Sequence, residues 1–363
     1  MRPLKIVISG GGTGGHIFPA IAIAKALQKK NPDTEILFVG AKGRMEMEKV
    51  PAAGYKIIGL TIAGIQRKLD LRNFLLPFKL VKSLIEAHKL LKEFKPDIAI
   101  GVGGYASAPT LYMASQMDVP TLIQEQNSYA GLTNKLLAKR ASAICVAFPH
   151  MEKYFPANKI VLTGNPVRED LQDISGKRDE ALKFFGLDGN RKTLLVIGGS
   201  LGARTINNAM LEGLHLIEEQ DTQVLWQTGK FFYTKAKEKN SGTIKVFDFI
   251  NRMDLAYAAA DVVISRAGAL SIAELCLTAK PCILVPSPNV AEDHQTKNAM
   301  ALVNEGAAQL VKDSEAGKVL VNKALYLLHN DNQQAELKEK ISALAMRNAA
   351  DKIVDEVYKV VGE

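Results

Sequence analysis

At 363 residues the chain is longer than one hydrophobic core usually spans, so two domains are expected. Apolar residues make up 47% and charged residues 23%, a globular balance that excludes a disordered chain. The 46 basic and 38 acidic side chains leave a net charge of +8, which suits phosphorylated ligands, an anionic membrane or nucleic acid.

The first predicted element is a strand from Leu4 to Ser9, followed by GGGTGGH and a helix from Gly15 to Lys30. The N-terminal apolar run is too short for a signal peptide, and no run in the chain is long enough to span a bilayer. Gly10, Gly12 and Gly15 satisfy G-x-G-x-x-G, and bare backbone N–H groups ahead of a helix favour a phosphate. A dinucleotide site also needs an acid at the end of the second strand. That strand, EILFVGAKGR, ends instead on Lys42 and Arg44. The loop reads as a phosphate loop, and the dinucleotide reading is weak.

Next comes a strand in YKIIGL and then a basic, apolar stretch. Between Ile62 and Lys92 lie seven Lys/Arg and two Asp/Glu among many Leu and Phe. Two readings fit Ile62 to Phe78, an interfacial membrane segment or an amphipathic element of the core. Ser83 to Glu93 reads as a core-facing helix with a solvated lysine face. The strands DIAIGV, PTLIQ and SAICVA complete a first series, with a further glycine loop, GVGGYASAP, after DIAIGV. The segment NKIVLTGNPVREDLQDISGKRDEALKFFGLDGNRK then reads as an inter-domain connection.

A second series follows in KTLLVIG, TQVLWQT, TIKVFD, DVVIS, PCILVP and AAQLV. Strands regularly separated by helix-length segments predict an α/β fold of parallel sheets covered on both faces. LVIGGSLGARTINNAMLEGL repeats the strand, glycine turn and helix of the N-terminus, so two doubly wound domains are expected to face each other across a cleft. The predicted boundaries are 1–165 and 166–345, with a C-terminal helix at 346–363 that returns to the first domain. Cys145, Cys276 and Cys282 form no C-x-x-C pair and read as reduced core residues.

Several side chains are candidates for chemistry. Ser200, in the second glycine turn, can donate to a phosphate oxygen. Glu274, after the turn in DVVISRAGALSIAELC, can accept two ribose hydroxyls or serve only as a dipole-favoured acid. Gln295, in EDHQ ahead of a helix, suits sugar hydroxyls, while Asp293 reads as a cap. Arg168 in GNPVR is the cation expected to meet phosphate charge. No D-x-D and no metal-ligand spacing occurs, so no metal and no cofactor are expected.

Taken together, GGGTGGHIFPA, GVGGYASAP, QEQNSYAG, GNPVR, GGSLGA, SRAGALSIAE and EDHQTKNA resemble the MurG family, bacterial N-acetylglucosaminyltransferases of peptidoglycan synthesis. The resemblance covers nearly the whole chain with the motifs in order. It implies the GT-B architecture of two Rossmann-like domains. It also implies inverting, metal-independent transfer of GlcNAc from UDP-GlcNAc to the MurNAc 4-hydroxyl of undecaprenyl-pyrophosphoryl-MurNAc-pentapeptide. Implied with it are a peripheral place on the cytoplasmic face of the cell membrane, an anionic membrane surface and other cell-wall synthesis proteins as partners, and no nucleic acid.

By motif, the resemblance carries substrate binding onto Thr13, Gly14, Gly15, Asn127, Arg168, Ser200, Ile250, Ala269, Leu270, Glu274 and Gln295. The first domain is then the acceptor and membrane domain, and the second the UDP-GlcNAc domain. Ile250 is expected to offer its backbone to the uracil edge. Leu201 departs from the family, which often has Gln there. His16 is the candidate general base and Glu125 its competitor; His16 can equally be a neutral hydrogen-bonding residue. Other UDP-sugar enzymes of this architecture, a glycolipid synthase or an epimerase, and a nucleotide-regulated membrane scaffold remain as alternatives.

Overall fold

The computed structural model describes residues 2–62 and 76–363, so most of the Ile62 to Phe78 segment, residues 63–75, lies outside the described residues. The chain divides into two compact units, 1–167 with 348–363 and 168–347. In the first unit the strands are β1 (Lys5–Ser9), β2 (Glu35–Ala41), β3 (Lys56–Leu60), β4 (Ile98–Gly101), β5 (Thr121–Glu125), β6 (Ala143–Val146) and β7 (Ile160–Leu162). They form one parallel sheet in the order β3-β2-β1-β4-β5-β6-β7.

The second unit holds β8 (Thr193–Ile197), β9 (Gln223–Gln227), β10 (Ile244–Phe247), β11 (Val262–Ser265), β12 (Cys282–Leu284) and β13 (Gln309–Leu310). Its order is β10-β9-β8-β11-β12-β13, again all parallel. Both sheets are doubly wound, with the order reversing beside the first strand. That reversal opens a crevice at the strand C-termini, which is where each glycine loop lies.

Period-two alternation explains why both faces are covered. In β1, Ile6 and Ile8 enter one core cluster with the helix Gly14–Lys30, while Val7 enters the opposite one with Leu90, Leu91 and Leu111. The second unit packs Leu194, Val196, Val224 and Trp226 against the helices Arg204–Glu218 and Ala316–Leu328. All three cysteines are buried free thiols, and burial pushes Cys145 and Cys276 up to about 12.

Three expectations need correction. The segment assigned to the connection contains a strand, because Ile160–Leu162 pairs with β6 as a three-residue edge strand, too short to show alternation. The C-terminal helix runs Ala349–Val361, set off from the helix Asp331–Ala343 where Asn348 takes φ 57°. It belongs to the first unit, where it buries Ile353, Val354, Val357 and Tyr358 beside the helix Gly14–Lys30. Gln295 does not precede a helix but lies in the first turn of His294–Val303. In the helix Leu76–Phe94, Ala87, Leu90 and Leu91 face the core as expected, but Ile85 is 64% exposed, as are Phe78 at 75% and Val81 at 56%.

Candidate functional site

In the first unit the glycines of the opening loop are required by other parts of the protein. A Cβ on Gly10 would lie 2.1 Å from the Val102 side chain, and one on Gly104 would lie 2.4 Å from the Gly11 carbonyl. Two glycine loops therefore pack backbone to backbone. The Gly12 N–H donates to Glu46 Oε2 at 2.8 Å, and the other Glu46 oxygen accepts from Ala41 N at 3.0 Å. Glu46 is 1% exposed, so a buried carboxylate of the protein takes one of the donors that the sequence suggests for a phosphate.

Past the loop, Thr13 sits at the helix N-cap without a side-chain cap bond, and Gly14 and Gly15 begin the helix. His16 Nδ1 lies 3.0 Å from the Gly11 carbonyl. A carbonyl only accepts, so Nδ1 carries the proton, and in the neutral ring Nε2 is the basic atom.

Glu125 ends β5 and is 2% exposed. Its Oε1 accepts from the Asn127 backbone and side chain at 3.0 and 3.2 Å, and its Oε2 from Gly131 N and Asn134 Nδ2 at 3.0 and 2.9 Å. This carboxylate organises the turn that carries Asn127.

In the second unit the turn Gly198–Gly202 joins β8 to the helix Arg204–Glu218. Gly199 and Gly202 have φ of 83° and 77°, and a Cβ on Gly202 would meet the Thr228 carbonyl at 1.9 Å. The helix has no side-chain cap bond and no acid in its first turn, which leaves its positive end for an anion. Ser200 is exposed on this turn.

Ile250, 2% exposed, follows β10, and its N–H donates to Gln227 Oε1 at 2.9 Å. Arg168 donates to Asp170 at 3.0 Å and to the Asn251 carbonyl at 3.0 Å. Burial, the largest single effect, opposes the guanidinium charge, but Asp170, with Glu274 and Asp254, raises the pKa overall, so the expected phosphate cation already has a carboxylate partner.

The helix Ala269–Leu277 starts after Gly268 and presents Ala269 and Leu270 in its first turn, with Glu274 further along. Glu274 accepts from the hydroxyl of Tyr257 at 2.9 Å. Burial pushes the Glu274 carboxyl up to about 7, against the lowering effects of Tyr257 and Arg168. Gln295 Oε1 accepts from Ser287 N at 2.9 Å. Arg266 ties the same region together through the carbonyls of Val285 and Pro286 and through Asp313, the last at 2.5 Å.

The second-unit candidates thus gather at the C-terminal edge of one sheet, and those of the first unit around its glycine loops. Sequence reasoning passed over Glu46, Gln227 and Tyr257. Glu46 looks like an ordinary first-turn acid. Tyr257 carried a signal, as a lone ring in DLAYAAAD, and Gln227 carried another, as an amide closing the apolar strand QVLWQ. Among the described residues, no group of three or more His, Cys, Asp or Glu could hold a metal ion.

The glycosyltransferase family 28 N-terminal domain matches residues 6–146 and the family's C-terminal domain matches residues 193–353. The chain is 59% identical over 365 residues to the UDP-N-acetylglucosamine–N-acetylmuramyl-(pentapeptide) pyrophosphoryl-undecaprenol N-acetylglucosamine transferase of Parabacteroides distasonis, covering 99% of each chain. Its identity to the protein of that name from Cytophaga hutchinsonii is 58%, over 99% of this chain and 98% of that one. The crystal structure of Acinetobacter baumannii MurG superposes with a TM-score of 0.79 at 30% identity, over 98% of this chain and 100% of that one. With its two parallel-sheet units of GT-B type, the chain belongs to glycosyltransferase family 28 and, within it, to the MurG family.

Proposed function

We infer that the protein is an inverting N-acetylglucosaminyltransferase that moves GlcNAc from UDP-GlcNAc to the MurNAc 4-hydroxyl of undecaprenyl-pyrophosphoryl-MurNAc-pentapeptide. The product is the β(1→4)-linked lipid-bound disaccharide of peptidoglycan synthesis. The observation that carries this reading is the likeness to curated transferases of that name over 99% of both chains.

The second unit supports a donor site. The turn around Ser200 and the positive end of the helix Arg204–Glu218 suit the diphosphate. The ionised Glu274 carboxylate suits the ribose hydroxyls, with Arg168 beside it favouring the charged form. The Ile250 N–H is already taken by Gln227, so its carbonyl is the group left to accept the uracil N3–H. The Gln295 oxygen is held by Ser287, which directs the amide nitrogen to sugar hydroxyls. Leu270 lies with Ala269 in the first turn of the helix Ala269–Leu277, whose positive end also favours an anion.

The chemistry is a single in-line displacement. The acceptor oxygen forms a bond to the anomeric carbon as the bond to the UDP oxygen breaks, and the configuration inverts. His16 Nε2 takes the hydroxyl proton; Nδ1–H on the Gly11 carbonyl fixes the tautomer this needs. Glu125 suits that task less well, because both of its buried oxygens already accept hydrogen bonds. Thr13, Gly14, Gly15 and Asn127 border the same acceptor side, and no cofactor takes part.

The enzyme acts peripherally at the cytoplasmic face of the membrane, where its acceptor is anchored and where other cell-wall synthesis proteins would meet it. Among the described residues no helix is long and apolar enough to cross a bilayer. Exposed Phe78, Val81 and Ile85, on one stripe beside Lys82, support a docking face that joins apolar insertion to attraction for anionic headgroups.

The test is product formation from UDP-GlcNAc and a lipid-pyrophosphate MurNAc acceptor. A disaccharide product is expected. UDP-GlcNAc binding without turnover would favour a scaffold, and release of an epimerised sugar would favour an epimerase.

A further inference from the structure

Gln227 closes β9, the strand between β8 and β10. Ile197, Gln227 and Phe247 stand in register at the C-terminal edge of the sheet. The side chain is 3% exposed, and its amide is divided between two loops. Nε2 donates to the Gly199 carbonyl at 3.1 Å, and Oε1 accepts from Ile250 N at 2.9 Å. The orientation is forced, because a carbonyl only accepts and a backbone N–H only donates. Gly199 belongs to the turn that carries Ser200, and its carbonyl also accepts from Gly202 N at 3.0 Å, which closes that turn.

We propose that Gln227 is a positioning residue that couples the base-reading loop at Ile250 to the diphosphate turn at Gly199, so that the nucleoside and diphosphate parts of one ligand bind cooperatively. The proposal rests on the nucleotide reading of this unit. Its physical basis is that a buried amide with both ends engaged transmits a shift of either loop to the other. Displacing Gly199 without Ile250 would break a bond in a site closed to water. The clasp also sets base specificity. With its N–H held by Gln227, Ile250 presents an acceptor, which suits the N3–H of uracil and opposes the N3 lone pair of cytosine.

Two variants separate this role from simple packing. Gln227→Glu keeps the shape and the acceptor for Ile250 but sets a carboxylate oxygen against the Gly199 carbonyl. Gln227→Met keeps the approximate volume and removes both bonds. In each, KM for UDP-GlcNAc should rise about tenfold while kcat changes less. The preference for UDP over CDP as competitive inhibitors should fall by about the same factor.

Wild-type hydrogen exchange gives a readout that needs no variant. Inorganic pyrophosphate alone should slow exchange of the Ile250 amide, and uridine alone should slow that of Gly202. Retained UDP preference in both variants, or an Ile250 amide indifferent to pyrophosphate in the wild type, would overturn the coupling alone. A wild-type protein with no preference for UDP would overturn the nucleotide reading, and the coupling with it.

Discussion

The hydroxyl of Tyr257 donates a 2.9 Å hydrogen bond to Oε2 of Glu274, joining a phenol with no solvent exposure to a half-buried carboxyl group. Burial raises the carboxyl to about 7 from its ordinary 4.5, so near neutrality it lies close to its titration midpoint. One oxygen is thus aimed by the phenol, and ionisation depends on what else arrives.

The donor site should therefore be pH-dependent. Ribose hydroxyls donate to the ionised form, so KM for UDP-GlcNAc should fall as pH rises from about 5.5 to 8 and level off above that. Glu274→Gln should raise KM more than it lowers kcat and flatten this dependence. The same shift acts on stability in the opposite sense. Because the fold prefers the protonated acid, ligand-free protein loses stability as pH rises from 4.5 through about 7. Glu274→Gln should then melt at a higher temperature than wild type at pH 8 and at about the same temperature at pH 4. An unchanged pH profile in the variant would remove Glu274 from ribose binding.

His16→Asn keeps a donor for the Gly11 carbonyl and removes the basic nitrogen. It should lower kcat by roughly 10²- to 10⁴-fold with a modest change in donor KM. Steady-state kinetics against both substrates decides this, and near-normal kcat would clear His16 of the proton transfer.

Glu46 holds the first loop from beneath, through Gly12 and Ala41. Glu46→Gln presents an N–H₂ group to one of two backbone donors and should cost roughly 1–3 kcal/mol of stability. It should also lower kcat about tenfold, because the loop carrying Thr13 and His16 loses its fixed position. Denaturant melts and kinetics measure the two effects. A stable variant with full activity would mean that the loop holds its shape without the carboxylate.

Two glycines of positive φ should differ in what alanine costs. Gly12 has φ 85° with nothing within 4 Å of an added Cβ, so Gly12→Ala meets only backbone strain, roughly 1–2 kcal/mol. Gly202 has φ 77° and would drive a Cβ to 1.9 Å from the Thr228 carbonyl, so Gly202→Ala adds a clash and should exceed roughly 3 kcal/mol. Equal losses in chemical denaturation would contradict that packing.

Replacing Phe78, Val81 and Ile85 together by Ser should leave the melting temperature nearly unchanged, because all three are exposed. Binding to anionic vesicles should weaken by at least about tenfold, since each inserted side chain contributes on the order of 1 kcal/mol or more. Turnover of a short-chain, water-soluble acceptor should persist. Vesicle binding equal to wild type at low salt would place the docking face elsewhere.

By itself the sequence determined the α/β class, the glycine turns and the helices that follow them. Those signals are local: an apolar run, a residue able to take positive φ, then an amphipathic period. Glu274 and Ser200 stand out as candidates for the same reason, since each lies within a few residues of such a turn. Ile160–Leu162 was not, because three residues at a sheet edge carry no periodicity.

Only the tertiary structure decided which groups share a hydrogen bond across the chain. Gln227 reaches Gly199 and Ile250 because β9 lies between β8 and β10, and that order follows from long-range packing. Glu46 reaches Gly12 from 34 residues away, and Tyr257 reaches Glu274 from another helix. Whether a loop N–H awaits a ligand or already holds a carboxylate is a question of proximity in space, and residue type and spacing along the chain do not encode it.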